Sequence, residues 1–430
     1  MQGYSSSSSS SQIFRTLFLV VPISLFSVLI FFSVSLKSIP QPLSSSSPSD
    51  PYLFPSSTIH HTLFLNPNSS SHWDPSSFPS PPSIAYFISG SYGDLDRIQR
   101  LLHAVYHPKN FYLLHLDRFA PQRDRDELAM RVQEVSVFHA ARNVFVVGKA
   151  DFAYQKGSTF VSTTLRGASI LLRLAEKWDW FVNLSAKDYP LVTQDDLLHI
   201  LSYLPKNLNF VNHTSYIGWK EVRRMKPIIV DPGLYLQEKT DMFRVAQKRD
   251  LPRVFQLFTG LSTSILTREL IEFCILGSNN FPRTLLMYFA NMPSSQLNYF
   301  PTVVCNSKQF KRSTINGNLQ FTASGNQSRD VFPRPLDVDD FNGMKNSGAA
   351  FAAQVTDLQV LDHMDRHLLG RHFGQLVPGG WCIGDYVNGT CSSWGDADIL
   401  RPGEGSKRLE KHILKLLANG AFLSHQCQVE

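Results

Sequence analysis

The 430-residue sequence contains no Gly-x-Gly-x-x-Gly and no Gly-x-x-x-x-Gly-Lys-Ser/Thr. Neither a dinucleotide fingerprint nor a phosphate-cradling P-loop is therefore present. It has no Gly-x-Ser-x-Gly, which removes the esterase elbow, and no pair of motif-placed carboxylates of the glycosidase kind. Cysteine is scarce, five residues in all, and no Cys-x-x-Cys occurs, so no zinc site is expected. Forty-one basic residues face thirty-five acidic ones, for a net charge of +6, with no Lys/Arg cluster interleaved with aromatics. Nucleic-acid binding has no support in that pattern; an anionic small ligand is compatible with it.

The first eighty residues lack what a folded core requires. Seven serines follow Tyr4, and from Lys37 to Pro82 Ser and Pro dominate, without the apolar periodicity that would offset the entropy of ordering the chain. Between these stretches lies Thr16–Leu36, twenty-one residues without a charge. At 1.5 Å per residue that run makes a helix of about 31 Å, the thickness of a bilayer core. A cleaved signal peptide is the alternative, but its apolar region is usually about 7–15 residues and ends at a small-residue cleavage site. The expected organisation is a cytoplasmic tail (1–15), a transmembrane anchor (16–36), a Ser/Pro stem (37–82) and a lumenal domain (83–430). Arg15 and Lys37 flank the span almost symmetrically, so orientation, N-in and C-out, rests on the short tail rather than on charge.

An oxidising lumen suits a Cys382–Cys391 disulfide around a loop rich in Gly, Asp and Asn. An odd cysteine count leaves one thiol free, and Cys427, near the C-terminus, is the obvious candidate. Asn68, Asn212, Asn326 and Asn388 are candidate glycosylation sites; a fifth sequon, Asn183, lies in an apolar run that reads as a strand.

From Ser83 the chain alternates short apolar runs with helical spacing. Ser83–Ser89, Phe111–Leu116, Val144–Val147 and Trp180–Leu184 read as strands. Leu95–Tyr106, Glu127–Val137 and Thr159–Lys177 read as helices. Such alternation predicts an α/β fold with a parallel sheet, whose ligands bind beyond the carboxyl ends of the strands. Ser89 and Gly90, Asp117 and Arg118, the Lys149–Lys156 loop with Lys156, and Ser185–Pro190 with Asp188 all fall there. The bland alternative for Asp117 and Asp188 is a cap or turn role.

Three segments narrow the reading further: Phe111–Arg118 (FYLLHLDR), Trp178–Leu191 (WDWFVNLSAKDYPL) and Pro378–Cys382 (PGGWC). With Asn280–Met287, Tyr299–Ser307, Ser347–Ala352 and Trp394–Leu409, they resemble the plant branch of glycosyltransferase family 14. That family includes core-2/I-branching N-acetylglucosaminyltransferases, peptide O-xylosyltransferases and glucuronosyltransferases acting on arabinogalactan. The resemblance implies a GT-A-like nucleotide-sugar-binding fold, a type II Golgi membrane protein and an inverting, metal-independent transfer from a UDP-sugar. The donated sugar would be a residue such as glucuronic acid, and the acceptor a glycan or arabinogalactan-type glycoprotein of the plant cell wall. No cofactor is expected; Golgi transferase partners are possible. Asp117 occupies the position that holds the nucleoside, and Asp188 one that orients sugar or acceptor hydroxyls.

Three segments depart from the pattern. Leu297 stands where relatives carry a general-base Glu. Ala353 and Gln354 replace an Arg-Lys pair that neutralises the leaving diphosphate, with Lys149, Lys156 or Arg268 as possible substitutes. Gly260–Thr263 replaces a Gly-Ser-Ala/Asp-Trp segment. A second reading follows: a catalytically impaired relative that binds glycans or partners an active transferase.

Overall fold

The computed structural model describes residues 80–430 except 215, 238–241, 324–331, 385, 388–389, 419–421, 423–425 and 429–430. The tail, the anchor, the stem to residue 79, and Asn68, Asn326 and Asn388 lie outside these residues. Among the described residues no helix is long and apolar enough to cross a membrane.

The strands, in chain order, are β1 (Ile84–Gly90), β2 (Phe111–Leu116), β3 (Val144–Val146), β4 (Trp180–Ser185), β5 (Tyr189–Pro190) and β6 (Asn209–Phe210). They continue with β7 (Pro227–Val230), β8 (Phe243–Lys248), β9 (Ile265–Thr267), β10 (Thr314–Ile315), β11 (Gln320–Phe321) and β12 (Phe351–Ala352). The main sheet runs β10-β6-β9-β4-β1-β2-β3. β1 lies between β2 and β4, parallel to both. Its continuous apolar run is explained by burial on both faces: Ile84, Tyr86 and Ile88 enter one core, Ala85 and Phe87 the other. Trp180, Val182 and Leu184 against Phe181 repeat the division in β4.

The sheet is mixed rather than wholly parallel, because β9 runs antiparallel to β4 and β6. The helix expected at Glu127–Val137 is two helices, Gln122–Glu134 and Ser136–Ala141, separated by Val135 in an extended conformation. The Thr159 helix ends at Leu174, where Ala175 turns extended. That helix packs tightly on β1: a Cβ at Gly167 would sit 2.4 Å from the Phe87 ring.

A buried ionic network locks the elements beneath β5. Asp365 Oδ1 accepts from the Tyr189 hydroxyl at 2.5 Å and from Arg371 Nε at 2.7 Å, while Oδ2 accepts from Arg100. Arg371 Nη2 also donates to the Tyr189 oxygen at 2.8 Å. Removing one member of such a network leaves an uncompensated buried charge, a loss of about 3–5 kcal/mol. The Pro378–Cys382 motif is likewise structural: the Gly380 and Arg401 N–H groups both donate to Asp195, in the first turn of the Gln194–Ser202 helix.

Two disulfides are present. Cys382 bonds Cys391, and Cys427 bonds Cys305. Cys427 is therefore not the free thiol; Cys274 is, and burial pushes it up to about 12, which makes it inert.

Candidate active site

The crevice forms where β1, β2 and β4 end together. Ser89 lies between His115 and Ser185 in the sheet register. The Gly90 carbonyl accepts the Asp117 N–H, and the Ser89 carbonyl accepts the Ala186 N–H, so the loops after β2 and β4 are both bonded to the end of β1. Asp117 is buried there, its Oδ1 accepting from the Ser91 hydroxyl and the Phe119 N–H at 3.0 Å each. Burial nevertheless outweighs these bonds and pushes its carboxyl up to about 6. Arg118 is exposed with its guanidinium 4.9 Å over the Phe152 ring, and its N–H donates to Asp151, on the loop after β3. Lys156 is exposed on the same loop, and its carbonyl accepts the Ser294 N–H.

Asp188 follows β4 in a tight turn. Its Oδ2 accepts from the Ser185 N–H at 2.8 Å and from the Thr263 hydroxyl at 3.5 Å. Burial dominates again and pushes the carboxyl up to about 7. Its bonds to Ser185 and Thr263 hold Asp188 at the crevice end of β4.

Two of the three departures, far apart in sequence, meet at this turn, and the third is bonded to one of them. Ala352 pairs with Tyr189 across β12 and β5, and the Val355 N–H donates to the Lys187 carbonyl at 2.7 Å. Thr263, at the end of Gly260–Thr263, supplies the hydroxyl on Asp188. Leu297 is buried in a short 3₁₀ turn, Ser295–Leu297, and its carbonyl accepts the Gly260 N–H at 2.7 Å. Gly260 is required here: a Cβ would lie 1.8 Å from the Asn212 carbonyl oxygen.

The suggested substitutes for the lost cations fare differently. Arg268 is removed from consideration. It sits at the opposite end of the sheet, because Thr267 pairs with Trp180 at the start of β4, and it is spent on Glu272 and the Trp178 ring. Lys149 and Lys156 are exposed around the loop after β3. Sequence reasoning passed over Lys187, a half-buried cation in the Asp188 turn bonded to the segment that holds Ala353 and Gln354. Its presence inside the Trp178–Leu191 motif was the available signal. Asn183 is buried in β4, donating to the Ser262 carbonyl and accepting from the Ser264 N–H, so its sequon serves packing. Asn212 is half-buried.

Among the described residues one His/Cys/Asp/Glu group has metal-like spacing, His213 with Cys305 and Cys427, and both its sulfurs are consumed in the disulfide. Four Asp-x-Asp pairs occur in the sequence. Asp94 and Asp96 follow β1, Asp94 accepting from the Ser91 N–H and Asp96 pairing with Arg131. Asp126 accepts from Gln122, Asp337 caps a short turn, and Asp398 pairs with Lys109.

A model of the Core-2/I-branching enzyme family matches residues 84–345. The Beta-glucuronosyltransferase GlcAT14A of Arabidopsis thaliana is 48% identical over 356 residues, covering 82% of this chain and 79% of that protein. The chain belongs to the Core-2/I-branching family. The Beta-glucuronosyltransferase GlcAT14C of the same plant is 44% identical over 349 residues, 81% of this chain and 85% of that one. Xylosyltransferase 1 of Rattus norvegicus is more distant, at 27% over 246 residues, 57% of this chain and 28% of that protein. Membership makes the chain a glycosyltransferase, a class that takes a nucleotide-sugar donor and a glycan acceptor. The binding-only reading is not favoured by relatives at this level of identity.

Proposed function

We propose that the chain transfers glucuronic acid from UDP-glucuronic acid to a cell-wall glycan, with inversion and without a metal, in the Golgi lumen. The observation that carries this reading is the crevice itself. Asp117 and Asp188 flank the end of β1 in a chain 48% identical to a named glucuronosyltransferase. Asp117 holds the nucleoside by accepting from its hydroxyl or base N–H groups.

In one displacement the acceptor oxygen bonds to the anomeric carbon while the bond to the diphosphate breaks, and UDP leaves with that electron pair. The acceptor proton needs a base, and Leu297 has none to offer. Asp188 takes that role: with its carboxyl near 7, it is half ionised at neutral pH and holds a transferred proton well. Lys187 supplies positive charge toward the leaving diphosphate, the work for which Ala353 and Gln354 are unsuited. The metal-free reading rests on the family resemblance, and the EDTA arm of the test below decides it.

The test is a donor screen with the purified chain across UDP-sugars and galactan acceptors, with and without EDTA. UDP-glucuronic acid turnover that survives EDTA is expected. Turnover of a different donor, or none of any, overturns the assignment.

A further inference from the structure

The Leu358–His367 helix carries histidines at positions 363 and 367, one turn apart. Asp357 caps its start by accepting from the Gln359 N–H at 2.8 Å, and Val360, Leu361 and Met364 fix it to the core. Residues four apart on a helix share a face. Here the two rings are in contact: their centres are 4.3 Å apart and their planes are tilted by 48°. Phe341, at the start of the Phe341–Ser347 helix, packs against both, 4.2 Å from His363 and 6.4 Å from His367. Its neighbour Asp340 is in turn held by Arg334 at 2.7 Å.

Three features set this pair apart from an ordinary patch of surface. His363 is half-buried and His367 exposed, so solvent reaches the pair while the helix beneath it is fixed. Ring contacts are the interactions of both imidazoles: among the described residues neither enters a hydrogen bond or an ion pair. The carboxylates of the same helix are engaged elsewhere, Asp362 with Arg100, and Asp365 with Arg100, Arg371 and Tyr189. The helix therefore offers nitrogen ligands and no spare carboxylate.

We infer that His363 and His367 form a chelating site for a divalent transition-metal ion, zinc or copper, with water completing the coordination. Two histidines at i and i+4 present their nitrogens from one helix face, the arrangement on which helical zinc sites are built. Metal–nitrogen bonds are about 2.0–2.1 Å long, and at this ring separation rotation about the Cβ–Cγ bonds brings one nitrogen of each ring onto a common ion. Imidazole suits zinc, copper and nickel, whereas magnesium, calcium and manganese favour oxygen, so the ligand set selects against the latter. The ion takes no part in the transfer chemistry, but it would sit on a helix that supports the crevice. Asp365, between the two histidines in sequence, holds the hydroxyl of Tyr189, the residue after Asp188. An ion bridging positions 363 and 367 would tie that turn of the helix together.

The test is metal binding by the full chain in neutral detergent, expressed without a polyhistidine tag and freed of metal with EDTA. Zinc, copper(II) and magnesium are titrated separately by calorimetry, and thermal denaturation is followed with and without zinc. Wild type should bind zinc or copper at this site, copper the tighter, and no magnesium. His363→Gln and His367→Gln should each weaken that binding by roughly a hundredfold, because the second imidazole acts as a tethered ligand. Zinc should raise the denaturation midpoint of wild type and of neither variant, with equal midpoints of all three proteins in EDTA. Copper on wild type should show hyperfine coupling to two nitrogens by electron paramagnetic resonance. Zinc and copper binding unchanged in both variants would place the ions elsewhere and overturn the site. The absence of saturable binding by wild type, or magnesium bound as tightly as zinc, would overturn it as well. The readout is binding, so a chain that fails to turn over UDP-glucuronic acid sinks the transferase assignment and leaves the site standing.

Discussion

The Val355 N–H donates to the Lys187 carbonyl at 2.7 Å, so the segment that holds Ala353 and Gln354 is bonded directly to the turn that bears Asp188. Ala353 and Gln354 therefore lie in a segment bonded to a turn that carries a cation, Lys187. This adjacency predicts where the diphosphate is neutralised. Lys187→Met should weaken UDP by about 1.5–3 kcal/mol, the usual worth of a hydrogen bond to a charged group, and leave uridine unaffected. Calorimetry of both ligands checks it, and equal losses for uridine and UDP would count against the role.

Asp117 gives a pH signature. With its carboxyl near 6, ionisation proceeds as pH rises through that value, and the ionised form accepts hydrogen bonds better. UDP affinity should increase between about pH 5 and 7. Asp117→Asn should flatten that rise and reduce affinity by about 1–3 kcal/mol. A wild-type affinity that does not change across that range would remove Asp117 from the pocket.

Asp188 links the site to stability. Its folded carboxyl lies near 7, and an unfolded aspartate near ~3.9, so between those values the native state holds a proton that the unfolded state has released. Stability is greatest below the unfolded value and falls as pH rises from roughly 4 to 7, levelling off above. Asp117 and Asp195, both raised to about 6, add to the same slope. Thermal unfolding of Asp188→Asn across that range should show a shallower decline than wild type. An identical pH dependence would mean the buried carboxyl is not protonated as described.

The disulfides differ in the length of chain they close. Cys305–Cys427 spans 122 residues and Cys382–Cys391 spans nine. On the chain-entropy model the first contributes about 5 kcal/mol and the second about 2–3. Cys427→Ser should lower the denaturation midpoint more than Cys391→Ser does; the reverse order would contradict that account.

Much of this architecture is legible in sequence because β1, β2 and β4 are buried on both faces, and such strands appear as uninterrupted apolar runs. Their ends fix the crevice, which is why Gly90, Asp117 and Asp188 could be placed together. What escaped reading is set by contacts distant in sequence. β5 and β12 are two residues each and β9 is three, too short for any period to show. The antiparallel direction of β9 sends Arg268 to the wrong end of the sheet for catalysis. The partner of Cys427 lies 122 residues away, and linear order carries no information about that pairing. Lys187 stands inside the Trp178–Leu191 motif, but its bond to Val355 is a contact distant in sequence.

The most direct measurement is the rate of glucuronic acid transfer from UDP-glucuronic acid to a galactan acceptor by wild type and Asp188→Asn, with UDP binding measured alongside. The account predicts transfer by wild type despite Leu297, and a loss of about 10²–10⁴ in the variant, the usual worth of a general base, with UDP affinity little changed. Transfer by Asp188→Asn at the wild-type rate would contradict it.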